Sequence, residues 1–259
     1  MNRVCLSIAG SDPSGGAGIQ ADLKTFHRHG VYGAAAITLV TVQNTRGVAR
    51  VDLLDPVLVA EQVRVVLDDL PVAALKTGAL GNAAIASAVA AQLRGRARPF
   101  VLDPVMVSKH GAPLMAEDEV AEVVRVLFPL ATLVTPNIPE ASAILGRPVG
   151  TLDEQRDAAR ELCRRTGCAA ALVKGGHGEG SEVVDVLWDG RALHEFRAPR
   201  IETMHTHGTG CTTSAAIAAF LARGLPLEVA VGDAVAWIRK AIATAPGLGG
   251  GQGPVNHFA

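Results

Sequence analysis

The sequence predicts an α/β fold, a three-layer sandwich around a central, mostly parallel sheet with a short antiparallel edge. Three observations lead there. Short apolar, β-branched runs alternate with longer Ala/Leu-rich stretches of helical period. The strand runs are apolar on both faces, which suits a parallel sheet covered by helices on either side. No linker, low-complexity segment or internal repeat divides the 259 residues, so one domain spanning 1–259 is expected.

The elements follow in order. "RVCLSIAG" reads as a strand and "GIQADLKTFHRHG" as a helix ended by Gly30. Next come "AAAITLVTVQN" (strand), "PVLVAEQVRVVLDD" (helix), "VAALKTG" (strand), "AAIASAVAAQLRG" (helix) and "RPFVLDPVM" (strand). "EDEVAEVVRVLFP" and "LDEQRDAARELCRRTG" are helices flanking the strand "ATLVTPN". In "EVVDVLWDGRALHEFRAPR", two extended runs flank Asp189-Gly190, a hairpin signal that predicts the antiparallel edge. "TTSAAIAAFLARG" is again helical, and the glycine-rich tail "GLGGGQGPVNHF" reads either as a flexible loop or as a working segment.

Composition excludes several classes of function. With 49% apolar and 19% charged residues the chain is of globular type. Lys and Arg number 24 against 25 Asp and Glu, so no polybasic surface for nucleic acid is expected, and 3% aromatic residues leave few rings for base stacking. The four cysteines form no C-x-x-C pair and no signal peptide precedes them, which predicts reduced thiols in the cytoplasm. No unbroken apolar run reaches the roughly 18 residues of a membrane span.

Ligands of open α/β sheets bind beyond the carboxyl ends of the strands, and five clusters of polar and glycine residues fall there. "AGSDPSGGAG" follows the first strand, and its glycines let backbone N–H groups approach a ligand. Gln43-Asn44 ends the second strand; an amide there reads a heterocycle edge or simply closes a turn. Asp103 follows "FVL" as a helix cap or a metal-site carboxylate. Asn137 and Glu140 in "TPNIPE" have the spacing of a capping box, with Glu140 alternatively a ligand of Mg²⁺ through water. Lys174 in "LVKGGH" either meets a phosphate or is solvated.

"HTHGTGC", residues 205–211, enters the "TTSAAIAAFLARG" helix through glycines. Unsatisfied N–H groups and the positive end of the helix dipole make Gly208, Thr209, Gly210 and Cys211 an anion site. The same field is expected to lower the Cys211 thiol below its free value of about 8.5. The alternative for Cys211 is a small packing residue. His205 and His207 lack metal-ligand partners at zinc spacing and read as loop residues.

Taken in order, "IAGSDPSGGAGIQADLKTF", "VTVQNTRGV", "KTGAL", "VLDPVMVSKHGAPL", "TPNIPEA", "LVKGGH" and "THGTGCTTSAAIAA" resemble the hydroxymethylpyrimidine and phosphomethylpyrimidine kinases of thiamine biosynthesis, members of the ribokinase-like superfamily. The resemblance runs from about residue 3 to "GPVNHF". It implies a sheet of about eight strands, a homodimer, and two successive phosphorylations by ATP with Mg²⁺. Hydroxymethylpyrimidine becomes its monophosphate, and the monophosphate becomes the diphosphate.

The resemblance also implies roles. Gln43 matches the glutamine that binds the aminopyrimidine, with Ala17 and Val42 beside it and Met106 as lining. Gly208, Thr209, Gly210 and Cys211 match the anion hole, with Cys211 where related sugar kinases place an aspartate base. Asn137 and Glu140 match the motif that organises Mg²⁺ with the nucleotide phosphates, Glu140 reaching the metal; Lys174 matches the lysine near those phosphates, and Asp103 joins the same charged group. Cys211 then serves as base for the alcohol of the first step, not as a covalent nucleophile.

Several positions depart from the commonest pattern of that family. Ala79 stands where methionine is frequent, His205 where asparagine is frequent, Gly178 follows His177 where leucine is usual, and "VSKHG" replaces "AKSG". The small Ala79 leaves room for pyridoxal, so a pyridoxal kinase of the same superfamily is the alternative. Two readings of another class are a thiol hydrolase using Cys211 with His207, and a pyrimidine sensor without catalysis.

Overall fold

The computed structural model describes residues 3–106, 115–178 and 180–259, so the segment "VSKHGAPL" lies outside the described residues. Among the described residues nine strands form one sheet in the order β3-β2-β1-β4-β5-β6-β7-β8-β9. They are β1 Val4–Ser11, β2 Tyr32–Asn44, β3 Gly47–Leu53, β4 Val72–Thr77, β5 Phe100–Leu102, β6 Leu133–Val134, β7 Ala171–Val173, β8 Glu182–Trp188 and β9 Leu193–Pro199. From β2 through β7 every pairing is parallel. β7–β8 and the β8–β9 hairpin are antiparallel, as the Asp189-Gly190 turn predicts.

A second antiparallel edge was not expected. β3 folds back on β2, pairing Leu39 with Leu53 and Val42 with Arg50. It accounts for the ninth strand, where the resemblance implied about eight.

Among the described residues eight α-helices accompany the sheet: α1 Gly18–Arg28, α2 Pro56–Asp69, α3 Ala83–Leu93, α4 Glu117–Leu127, α5 Ile138–Leu145, α6 Leu152–Thr166, α7 Thr209–Ala222 and α8 Leu227–Ala243. Period-2 alternation in the strands sorts them into two layers. Leu6 and Ile8 of β1 face a core built with α2 to α6, and Cys5 faces the other core, built with α1, α7 and α8. Full burial of a leucine or isoleucine contributes roughly 1.5–3 kcal/mol, and both faces of β1 are buried. Alanines buried throughout α7 let that helix lie close against the sheet.

Local signals set the helix starts. Asp55 accepts the N–H groups of Val57 (2.8 Å) and Leu58 (3.3 Å) ahead of Pro56 at the first turn of α2, and Asn82 accepts Ile85 N–H (2.8 Å) at α3. Among the described residues no helix is long and apolar enough to cross a membrane.

The glycine-rich tail is not a loop without consequence. His207 N–H donates to the Gly253 carbonyl (3.1 Å), Gln252 N–H donates to the Thr45 carbonyl (2.8 Å), and His257 Nε2 meets Thr212 Oγ1 at 3.1 Å. Val255 is buried, and the Ala259 carbonyl accepts from Arg28 Nε and Trp237 Nε1, both at 2.9 Å. The tail thus straps the turn before α7 in place.

Candidate active site

The chain leaves β1 at Asp12, β4 at Gly78, β5 at Asp103, β6 near Asn137 and β7 at Lys174, all at the carboxyl edge of the sheet. A cavity of about 790 Å³ opens there. Gln43, Ala17, Met106, Asp103, Asn137, Glu140, Lys174 and all of Gly208, Thr209, Gly210 and Cys211 line it.

Val42 is the exception. It is 54% exposed and does not line the cavity. Thr41 and Gln43 do line it, and alternation along β2 turns Val42 to the opposite face.

Lys174 Nζ lies 2.9 Å from Asp103 Oδ1, and both side chains are largely buried, so this lysine is not simply solvated. Thr135 Oγ1 donates to Asp103 Oδ1 (3.1 Å) and Ser214 Oγ to Asp103 Oδ2 (3.3 Å). Burial pushes the Asp103 carboxyl up, but the charges of Lys174 and Lys76 and these hydrogen bonds outweigh it and hold it below its ordinary value.

Asn137 and Glu140 form the capping box that their spacing predicts. Glu140 N–H donates to Asn137 Oδ1 and Asn137 N–H to Glu140 Oε2, each at 2.8 Å. Burial raises the Glu140 carboxyl to about 7, against the pull of Lys174. Capping does not remove Glu140 from the cavity, because its side chain still forms part of the lining.

The turn before α7 is shaped by Gly208. Its φ is +79° and a Cβ there would collide with the Gly16 carbonyl oxygen, so only glycine allows this turn to pack against the loop after β1. No side chain caps α7, and Thr212 N–H bonds the Gly208 carbonyl at 2.8 Å. The N–H groups of Gly210 and Cys211 precede that first full turn. A Cβ on Gly210 would stand 3.4 Å from Lys174 Nζ, which brings the helix start against the Lys174–Asp103 pair.

Cys211 corrects the expectation of a lowered thiol. Its pKa is pushed up to about 11, first by burial and then by the negative charges of Asp22 and Asp103; Lys76 and a hydrogen bond from Gly18 N–H pull the other way without prevailing. Desolvation of the thiolate exceeds the field of the helix start.

Two buried pairings are not visible in the sequence. His207 is not a bare loop residue, since its Nε2 lies 2.8 Å from Asp12 Oδ2 and both side chains are buried. Asp12 also accepts from Ser14 and Ala17 N–H, so it knits the first glycine loop to the last. Lys76 and Asp22 form a wholly buried ion pair, with Ser7 Oγ donating to Asp22 at 2.5 Å. Asp22 on an otherwise apolar helix face and Lys76 inside a strand were the available signals.

The cavity's charge pattern fits a nucleotide carrying Mg²⁺. Among the described residues no group of three or more His, Cys, Asp or Glu side chains gathers as a metal cage. Mg²⁺ needs none, because it retains waters and shares phosphates with one or two carboxylates.

The sequence profile of phosphomethylpyrimidine kinase matches residues 12–256. The chain belongs to the phosphomethylpyrimidine kinase family. Within that kinase family it is 48% identical over 260 residues to the hydroxymethylpyrimidine/phosphomethylpyrimidine kinase of Rhizobium meliloti strain 1021, covering 100% of this chain and 98% of that one. The phosphomethylpyrimidine kinase structure from Clostridium difficile 630 superposes with a TM-score of 0.82 at 37% identity, covering 93% of this chain and 100% of that one. The ADP complex of Bacillus subtilis pyridoxal kinase superposes with a TM-score of 0.92 at 35% identity, covering 100% and 98%. The α/β fold, with its mostly parallel sheet, is that of these kinases.

Proposed function

We propose that the protein transfers the γ-phosphoryl group of ATP first to hydroxymethylpyrimidine and then to its monophosphate, yielding the diphosphate for thiamine biosynthesis. One observation carries this reading: Gln43, the Gly208–Cys211 turn and the Asp103, Glu140 and Lys174 group all line one cavity. A heterocycle reader, an anion cradle and a phosphate-binding charge group thereby share one space.

Phosphoryl transfer depends on alignment and on stabilising charge over the transferred oxygens. Gln43 pairs with the aminopyrimidine edge through its amide, and Ala17 and Met106 bound the pocket. Lys174 holds the ATP phosphates while Asp103 fixes its ammonium. The N–H groups of the Gly208–Cys211 turn cradle the moving phosphoryl. The Asn137 N–H donates to the carboxylate of Glu140 and so orients it; Glu140 would hold Mg²⁺ through water. Bound with ATP, the metal neutralises charge on the phosphates.

Cys211 takes the proton of the hydroxymethyl group in the first step. In the second step the nucleophile is a phosphate monoester with a second pKa of roughly 6, already ionised, and no base is needed. A thiol titrating at about 11 supplies little thiolate at neutral pH, so above about pH 7 the first step should depend much more strongly on pH than the second.

Pyridoxal is the second reading, supported by the similarity to the Bacillus subtilis pyridoxal kinase and by the small Ala79 in the cavity wall. The chain acts as one kinase domain. Val40 and Val42, both exposed on one face of β2, support a homodimer. Four free cysteines support work in the reducing cytoplasm. A coupled ADP-release assay on hydroxymethylpyrimidine, its monophosphate and pyridoxal tests the proposal.

A further inference from the structure

Helix α6 ends in a left-handed cap at Gly167, with φ +79° and its N–H on the Cys163 carbonyl at 3.0 Å. Such a cap folds the side chain after the glycine back onto the last turn of the helix, where an apolar contact usually forms. Here both partners are cysteines. Cys168 Sγ lies 3.6 Å from Cys163 Sγ in an S–H···S contact.

The two thiols differ in access. Cys168 is only 4% exposed in the core, whereas Cys163 is half-buried. Neither lines the cavity. They lie ahead of Ala171, at the opposite end of β7 from Lys174. The other cysteines are placed differently: Cys5 is wholly buried with its Sγ 3.5 Å from the Ala218 carbonyl, and Cys211 lines the cavity.

We propose that Cys163 and Cys168 are a redox-active dithiol, modified by low-molecular-weight disulfides into an intramolecular disulfide that staples the end of α6 to the chain entering β7. Cys163 gives up its proton and its thiolate attacks one sulfur of the reagent. A Cys163–reagent bond forms, and the other half of the reagent leaves as a thiolate that takes up a proton. Cys168 then loses its proton and attacks the Cys163 sulfur, and the second reagent thiol departs. Two protein thiols are oxidised by two electrons in all, and one reagent disulfide is reduced to two thiols. The sulfurs need close only from 3.6 Å to about 2.05 Å. The cap has already paired them, so the mixed disulfide is short-lived.

The test is incubation of the full-length protein with oxidised glutathione, followed by intact mass and a non-reducing tryptic map. Arg164 and Arg165 lie between the cysteines, so trypsin cuts the intervening chain and a disulfide alone keeps the fragments together. The expected result is a loss of two hydrogens and a joined peptide pair through residues 163 and 168, reversed by a reductant. Cys168→Ala should stop at a lasting glutathione adduct on Cys163, and Cys163→Ser should leave Cys168 unmodified in folded protein. Unreacted thiols at both positions, or a lasting adduct on Cys163 in the unsubstituted protein, would overturn the proposal.

Discussion

The ammonium of Lys76 lies 2.9 and 2.8 Å from the two carboxylate oxygens of Asp22, and neither side chain reaches solvent. Asp22 belongs to α1, the helix whose Gly18 N–H donates to Cys211, and the charge of Lys76 is the strongest force favouring the Cys211 thiolate. The pair and the thiol are therefore one electrostatic unit. Lys76 retains its proton because Asp22, with Cys211 and Asp103, outweighs the cost of burial. Breaking a buried pair from one side leaves an uncompensated charge, so Lys76→Met should lose about 3–5 kcal/mol of stability by urea denaturation. Lys76→Met with Asp22→Leu should recover most of it. An equal loss in both variants would mean that packing, not charge, is what Lys76 supplies.

The Cys211 thiol predicts a divergence in pH dependence between the two phosphorylations. Only the deprotonated form accepts a proton, and its pKa is about 11. The kcat/KM for the hydroxymethyl substrate should therefore climb about tenfold per pH unit between about pH 7 and 9. For the monophosphate it should level off above about pH 7, once the substrate's second proton and that of the Glu140 carboxyl are lost. Cys211→Ala should slow the first step much more than the second. Parallel profiles would make Cys211 a positioning group.

Ala79 lines the cavity, and its carbonyl accepts from Thr38 Oγ1 at 2.6 Å, so its backbone is held while its side chain leaves space. Ala79→Met adds three heavy atoms and should narrow the pocket, raising the preference for the pyrimidine over pyridoxal by at least the roughly 10-fold at the low end of what one methylene commands. Steady-state kinetics on both alcohols reads this ratio. An unchanged ratio would place the size limit elsewhere in the wall.

Acid stability should depend on two histidines. Burial holds His29 and His257 at about 4, against an ordinary value of 6.5, with Arg28 and Arg223 adding to the effect at His29. The unfolded chain binds more protons between these values, so the contribution is complete above about pH 6.5 and is lost as pH falls toward 4. Allowing for partial exposure, each should account for about 1–2 kcal/mol. His29 packs against Phe220 and Trp237 with its Nε2 unbonded among the described residues. His29→Leu should therefore be tolerated at pH 7 and flatten the acid limb of a pH–denaturation curve. An unchanged limb would refute the assignment.

Much of this molecule was legible because its signals are local. Pro56–Asp69 forms the helix that its period predicts, Asn137 and Glu140 close the box that their spacing predicts, and Asp189-Gly190 turns its hairpin. β3 was missed because an edge strand bearing exposed Arg50 and Asp52 looks like a polar loop. Asp12 and His207 are 195 residues apart, and Asp22 and Lys76 are 54 apart, so no spacing rule pairs them. Val42 stands outside the cavity lining, next to Gln43 in the strand. Strand alternation already separates it from Thr41 and Gln43. The Cys211 thiol misled for another reason: the helix start is visible in sequence, but the burial that overrides it is not.

Phosphorylation of a pyrimidine alcohol by ATP is the role proposed for this cavity. The most direct measurement is ADP release with hydroxymethylpyrimidine, its monophosphate and pyridoxal compared side by side at equal enzyme and Mg²⁺. The first two should turn over, with kcat/KM for the pyrimidine alcohol above that for pyridoxal. A strong preference for pyridoxal, or no ADP release with either pyrimidine, would contradict it.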